Sequence, residues 1–103
     1  MNGNFNPMLN LKKSNTTVDA RGWLLWDDDD VSAKIEVTVT QNGVTGTAAV
    51  DCKKGDDTWQ VDVPAPGGKS FVRGSANGTA DATVTTTGDP EPLWWQSPPL
   101  QLN

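Results

Sequence analysis

The stretch VSAKIEVTVTQNGVTGTAAVDC, residues 31–52, decides the fold. From Val31 to Thr40 apolar and polar residues alternate without a break. Val31, Ala33, Ile35, Val37 and Val39 share one face; Ser32, Lys34, Glu36, Thr38 and Thr40 share the other. Side chains on a strand alternate between faces, so this is a strand with one side in a core and the other in water. Asn42-Gly43 follows, the preferred pair for a two-residue type I′ hairpin, whose central residues both take positive φ. Closing the chain there sets Gln41 opposite Val44, Val39 opposite Gly46, Val37 opposite Ala48, Ile35 opposite Val50 and Ala33 opposite Cys52. Every inward residue meets another inward residue, so turn chemistry and hydrophobic phase specify one register.

After Lys53-Lys54-Gly55-Asp56-Asp57, a third strand carries Trp59, Val61 and Val63 inward with Gln60 and Asp62 outward, which completes a three-stranded meander. Pro64-Ala65-Pro66-Gly67-Gly68 then breaks the chain, and Ser70–Ser75 with Thr79–Thr87 predicts a second hairpin around Asn77-Gly78. Val18–Trp26 and Leu93–Gln96 read as further strands. Ser97-Pro98-Pro99 reads as turn, edge or extended segment, because proline cannot donate to a ladder. Six to seven short strands with Gly, Pro and Asn turns between them, and no stretch that reads as a helix, predict an all-β fold. The expected domain is a single small antiparallel β-sandwich over residues 17–97, with an extended N-terminal arm at 1–16 and a C-terminal tail at 98–103. It resembles immunoglobulin-like and jelly-roll modules in architecture alone, since the Cys, Trp, Cys core of true immunoglobulin domains needs a second cysteine.

A chain of 103 residues has room for one core. With 13 Asp and Glu against 8 Lys and Arg, its net charge of −5 repels phosphate, so nucleic acid and anionic membrane are poor partners. The opening residues, MNGNFNPM, have neither a basic start nor an apolar run, so no secretory leader is read and the compartment is left open. Histidine and tyrosine are absent, and the one cysteine, Cys52, falls on the inward face opposite Ala33, away from any base. A nucleophile without an activator is inert. These features predict a non-enzymatic protein with no organic cofactor.

Two features carry the functional expectations. The first is Asp27-Asp28-Asp29-Asp30, hard oxygen donors that form a candidate calcium site but lack EF-hand spacing. The competing reading is a solvated turn that guards an apolar strand from edge pairing. The second is the tryptophan pairs, Trp23 with Trp26 and Trp94 with Trp95. Neighbours on a strand face opposite ways, so a single core takes only one of Trp94 and Trp95, and the register there is open. Trp23 and Leu25 share one face of their strand while Leu24 and Trp26 share the other, which predicts cover on both sides. Burying one Trp removes roughly 150–250 Å² from water, worth several kcal/mol at about 25 cal/mol per Å². The cover comes from the chain's own ends, through Phe5, Met8, Leu9, Leu100 and Leu102, from other subunits, or from sugar rings. The leading expectation is a structural subunit that self-associates or joins a larger protein assembly through its arms and Trp-rich edges. The alternative is a carbohydrate-binding module with a Trp platform and an Asp-bound calcium ion.

Overall fold

In the computed structural model, which describes residues 1–103, every regular element is a strand. They are β1 (Asn2–Phe5), β2 (Met8–Lys12), β3 (Thr17–Leu25), β4 (Asp30–Gln41), β5 (Val44–Lys53), β6 (Thr58–Pro64), β7 (Gly74–Thr86), β8 (Glu91–Gln96) and β9 (Leu100–Leu102). The nine strands form one continuous sheet folded over a single core, an arrangement consistent with a small β-sandwich. In one layer β3 pairs with β6 on one edge and with β1 and β2, placed end to end, on the other. In the second layer β4 lies between β5 and β7, and β8 and β9 follow one another along the outer edge of β7. At about 3.3 Å per residue, the 13-residue β7 accounts for the 42 Å long axis of the molecule.

Prolines mark where the end-to-end strands part. Pro7 separates β1 from β2, and Pro98-Pro99 separates β8 from β9. At these breaks β2 and β9 pair with each other, Met8 with Gln101 and Leu9 with Leu102, through Gln101 N–H to Pro7 O (2.7 Å) and Asn103 N–H to Leu9 O (2.9 Å). That pair is parallel, so the sheet is mixed where the sequence predicted an antiparallel one. The terminal segments are extended, as expected, and are strands of the chain's own sheet. Phe5, Leu9, Leu100 and Leu102 are buried in its core.

The central hairpin has the register read from the sequence, from Ala33 opposite Cys52 to Gln41 opposite Val44. Its turn has φ of 49° at Asn42 and 77° at Gly43, both positive as type I′ requires. Four other expectations are corrected. Nine strands replace six or seven, because each terminal segment contributes short strands of its own. The meander does not form: β6 crosses to the other layer and pairs with β3, placing Trp59 opposite Gly22 and Val63 opposite Val18. The Asn77-Gly78 hairpin is absent, since β7 runs straight through it beside β4. Val31 points outward and is exposed, because a register shift between Asp30 and Ser32 puts Asp30 on the buried side in its place.

The core is built from aromatic rings laid over glycine backbones. Trp59 lies across Gly22, where a Cβ would fall 2.4 Å from the indole nitrogen and 2.0 Å from Asn4 O. Phe5 lies against Gly78, where a Cβ would fall 2.9 Å from the ring, and Trp95 reaches from β8 under Gly3 of β1. Phe5 and Trp59 also meet edge to face, 5.0 Å between centroids at 88°. Gly22 of β3 thus makes room for a ring from its own neighbour β6, while Gly78 of β7 and Gly3 of β1 make room for rings from the opposite layer.

Candidate interaction surface

The fold sorts the five tryptophans. Trp59 is core, and its indole N–H donates to Asn4 O at 3.2 Å. Trp95 points inward and is buried with its indole N–H unpaired, whereas Trp94, opposite Asp81 on the outer face of β8, is 57% exposed. This settles the face of each member of that pair. Trp26 is half-buried and donates to Asp56 O at 2.7 Å, while Leu24 beside it is buried. The opposite face of β3 is not covered: Trp23 is 38% exposed and Leu25 62%.

Expected interface residues therefore divide. Phe5, Leu9, Trp95, Leu100 and Leu102 lie inside the chain's own core and Trp26 at its margin. Trp23, Trp94 and Met8 face solvent, and Leu25 joins them. Sequence reading placed Leu25 beside Trp23 but did not single it out; its alternation with buried Leu24 was the available signal.

The outer face of β3 grades from apolar to charged. Trp23 lies between Asn4 of β1 and Thr58 of β6, and Leu25 opposite Asn2. Asn2 and Asn4 also cap the sheet locally, their side-chain carbonyls accepting the following amides of Gly3 and Phe5 at 2.8 Å. Further along, Arg21 makes a bidentate pair with Asp19 (Nε 3.0 Å, Nη2 2.9 Å), and Gln60 donates to both Asp19 and Asp62, which also takes Lys12. The Arg21 hydrogen bond holds the Asp19 carboxyl below the ordinary carboxylate range against the upward pull of burial.

Around the aspartate run the organising cation is the amino terminus. The Met1 ammonium lies 2.7 Å from Asp27 Oδ2 and 3.0 Å from Asp30 Oδ2. Burial raises the pKa of Asp30, but the Asp27 amide, which donates at 2.8 Å, and the ammonium outweigh it and the net shift is downward. For the ammonium, burial lowers the pKa, and the bonds to Asp27 and Asp30 carry it above the usual value. Asp28 and Asp29 are exposed, and the Asp28 carbonyl accepts Lys54 Nζ at 2.6 Å. No three His, Cys, Asp or Glu side chains stand close enough together to hold a metal ion. Cys52 is buried; burial, with Asp56 and Asp51 nearby, raises its thiol pKa. No pocket indents the surface.

No protein-family model matches the chain, and a search of curated proteins finds no relative. What remains is the geometry: two exterior faces, each bearing an exposed tryptophan.

Proposed function

We propose that this chain is a non-enzymatic structural subunit that self-associates or decorates a larger particle, of the virion or cell-surface filament kind, through its tryptophan-bearing outer faces. One observation carries the reading. With both chain ends already used inside the core, Trp23, Leu25 and Trp94 still stand exposed, and the apolar pair sits on β3, a strand hydrogen-bonded along both edges. A strand held on both sides and apolar on both faces suits a layer that another surface covers. The test is mass by light scattering across protein concentration, for the unmodified chain and for W23S/L25T and W94S. The expected result is a species above 11.0 kDa whose share grows with concentration and shrinks in at least one variant. A monomer at every concentration, with no larger species in any mixture, overturns it.

The carbohydrate reading keeps one observation in its favour. Trp94 stands exposed opposite Asp81 and two residues from Gln96, a ring flanked by groups able to hydrogen-bond sugar hydroxyls. It calls for a change in Trp fluorescence on adding oligosaccharides that is lost in W94A. Calcium at Asp27–Asp30, which would have to draw these carboxylates together and displace the Met1 ammonium, would add a melting temperature that falls in chelator.

A further inference from the structure

Resting on the assembly reading, we infer that the partner of the β3 outer face is a second copy of the same face, docked antiparallel across a twofold axis. The outward positions of β3 are Arg21, Trp23 and Leu25, and Asp27, two residues past the end of the strand, is exposed, so the order along the chain is cation, apolar, apolar, anion. Read backwards, the row is its own complement. A twofold axis centred at Leu24 places Trp23 of each copy against Leu25 of the other and Arg21 against Asp27. Each residue then meets its opposite number twice, as an isologous contact requires.

Charge makes this face the one suited to self-pairing. Two copies of a chain with net charge −5 repel each other, so a self-contact needs a patch that does not set acid against acid. The immediate cross-strand neighbours of Trp23 and Leu25 are Asn2, Asn4 and Thr58, all uncharged. The other candidate face fails this condition, because Trp94 lies opposite Asp81, which lies opposite Glu36 on β4. Self-pairing there would stack carboxylates on carboxylates. Both rim charges of the β3 row stay available: the Arg21 side chain is 61% exposed beyond its pair with Asp19, and Asp27 is 72% exposed beyond its contact with the ammonium. Two apolar side chains fall well short of the roughly 800 Å² per partner of a standard interface, so the contact is transient and appears at high protein concentration.

The experiment is a charge swap read by sedimentation velocity. R21E sets a carboxylate against Asp27 of the other copy, and D27K sets an ammonium against Arg21 of the other copy, so each single variant should lose dimer by about tenfold in association constant. Mixing the two variants should restore it, because each cross-copy contact then joins opposite charges, and the double variant R21E/D27K should dimerise alone. W23S/L25T should abolish the dimer and W94S should leave it unchanged. Circular dichroism melts identify any variant that fails through folding; the mixture reads the same two chains and so stays informative. Association that persists in both single variants, or single-variant losses that mixing does not restore, overturns the twofold contact while leaving assembly through another face standing. A monomeric unmodified chain at every concentration overturns the twofold contact and, with it, the self-association on which the assembly reading rests.

Discussion

Asn42-Gly43 and Asn77-Gly78 are the same dipeptide, and the fold uses them in opposite ways. At Asn42-Gly43 the inward residues are odd-numbered before the pair (Ile35, Val37, Val39) and even-numbered after it (Gly46, Cys52), as a two-residue turn demands. Across Asn77-Gly78 they stay even-numbered: Ala76, Gly78, Ala80, Ala82, Val84. A turn inverts the phase and a strand preserves it. Gly43 is there for its positive φ, with nothing within 4 Å of a Cβ, whereas Gly78 is there to seat Phe5 and Leu100.

Substitutions at the glycines break this contrast most visibly. G22A should be the worst, at about 3 kcal/mol or more, because its Cβ would meet backbone at Asn4 as well as the Trp59 ring. G78A should follow at about 1–3 kcal/mol, with Phe5 displaced. G43A should lose about 1 kcal/mol, the cost of a Cβ in left-handed backbone with no crowding. Urea denaturation ranks the three, and a G43A loss equal to that of G78A would erase the distinction.

The asparagines sharpen it with opposite signs. N42T forces a β-branched residue to φ near 49° and should destabilise by about 1 kcal/mol. N77T places threonine on the exposed face of a strand opposite Thr40 and should fall within about 0.5 kcal/mol of neutral. Thermal melts of the two variants side by side decide it; equal losses would mean that both pairs sit in turns.

The smallest effect comes from pH and acts outside both pairs. Asp19 and Asp30 have folded pKa values below their ordinary value. Their contributions are therefore complete above the unfolded carboxylate value of about 4 and are lost as pH falls through the lower folded values. The Met1 ammonium is shifted the other way. Its contribution is complete below the unfolded value of about 8 and is lost as pH rises through the raised folded one. The melting temperature should decline at both ends of the pH range. D30N should flatten both limbs, since it removes one carboxylate and a partner of the ammonium.

Sequence alone reached the parts of the fold governed by neighbours along the chain: the central hairpin to the residue, Trp59 and Val63 as core, and Leu24 and Leu25 on opposite faces. What it missed depends on contacts between strands far apart in the sequence. No local signal says that Trp59 needs a glycine across from it, so the pairing of β6 with β3 was out of reach, as was the closure of β2 on β9. The course of β7 was within reach, because Ala76, Gly78, Ala80, Ala82 and Val84 keep one phase. There a strong turn dipeptide prevailed over a weaker pattern of small residues. For the surface, alternation placed Trp23 and Leu25 on one face but predicted that face covered, whereas it is exposed, and the separation of Trp94 from Trp95 waited on the register of β8 against β7. The terminal segments show why arms and strands look alike in sequence: both are extended and apolar, and only packing partners tell them apart. Deleting residues 1–10 should accordingly unfold the domain, as it removes Phe5 and Leu9 from the core.

The measurement that bears most directly on the function is hydroxyl-radical footprinting of Trp23 and Trp94 across protein concentration, read by mass spectrometry. If the β3 faces meet, Trp23 and Leu25 become protected as concentration rises while Trp94 stays labelled. If Trp23 is labelled equally at every concentration, no copy covers it, and the outer face of β3 is not where this chain assembles.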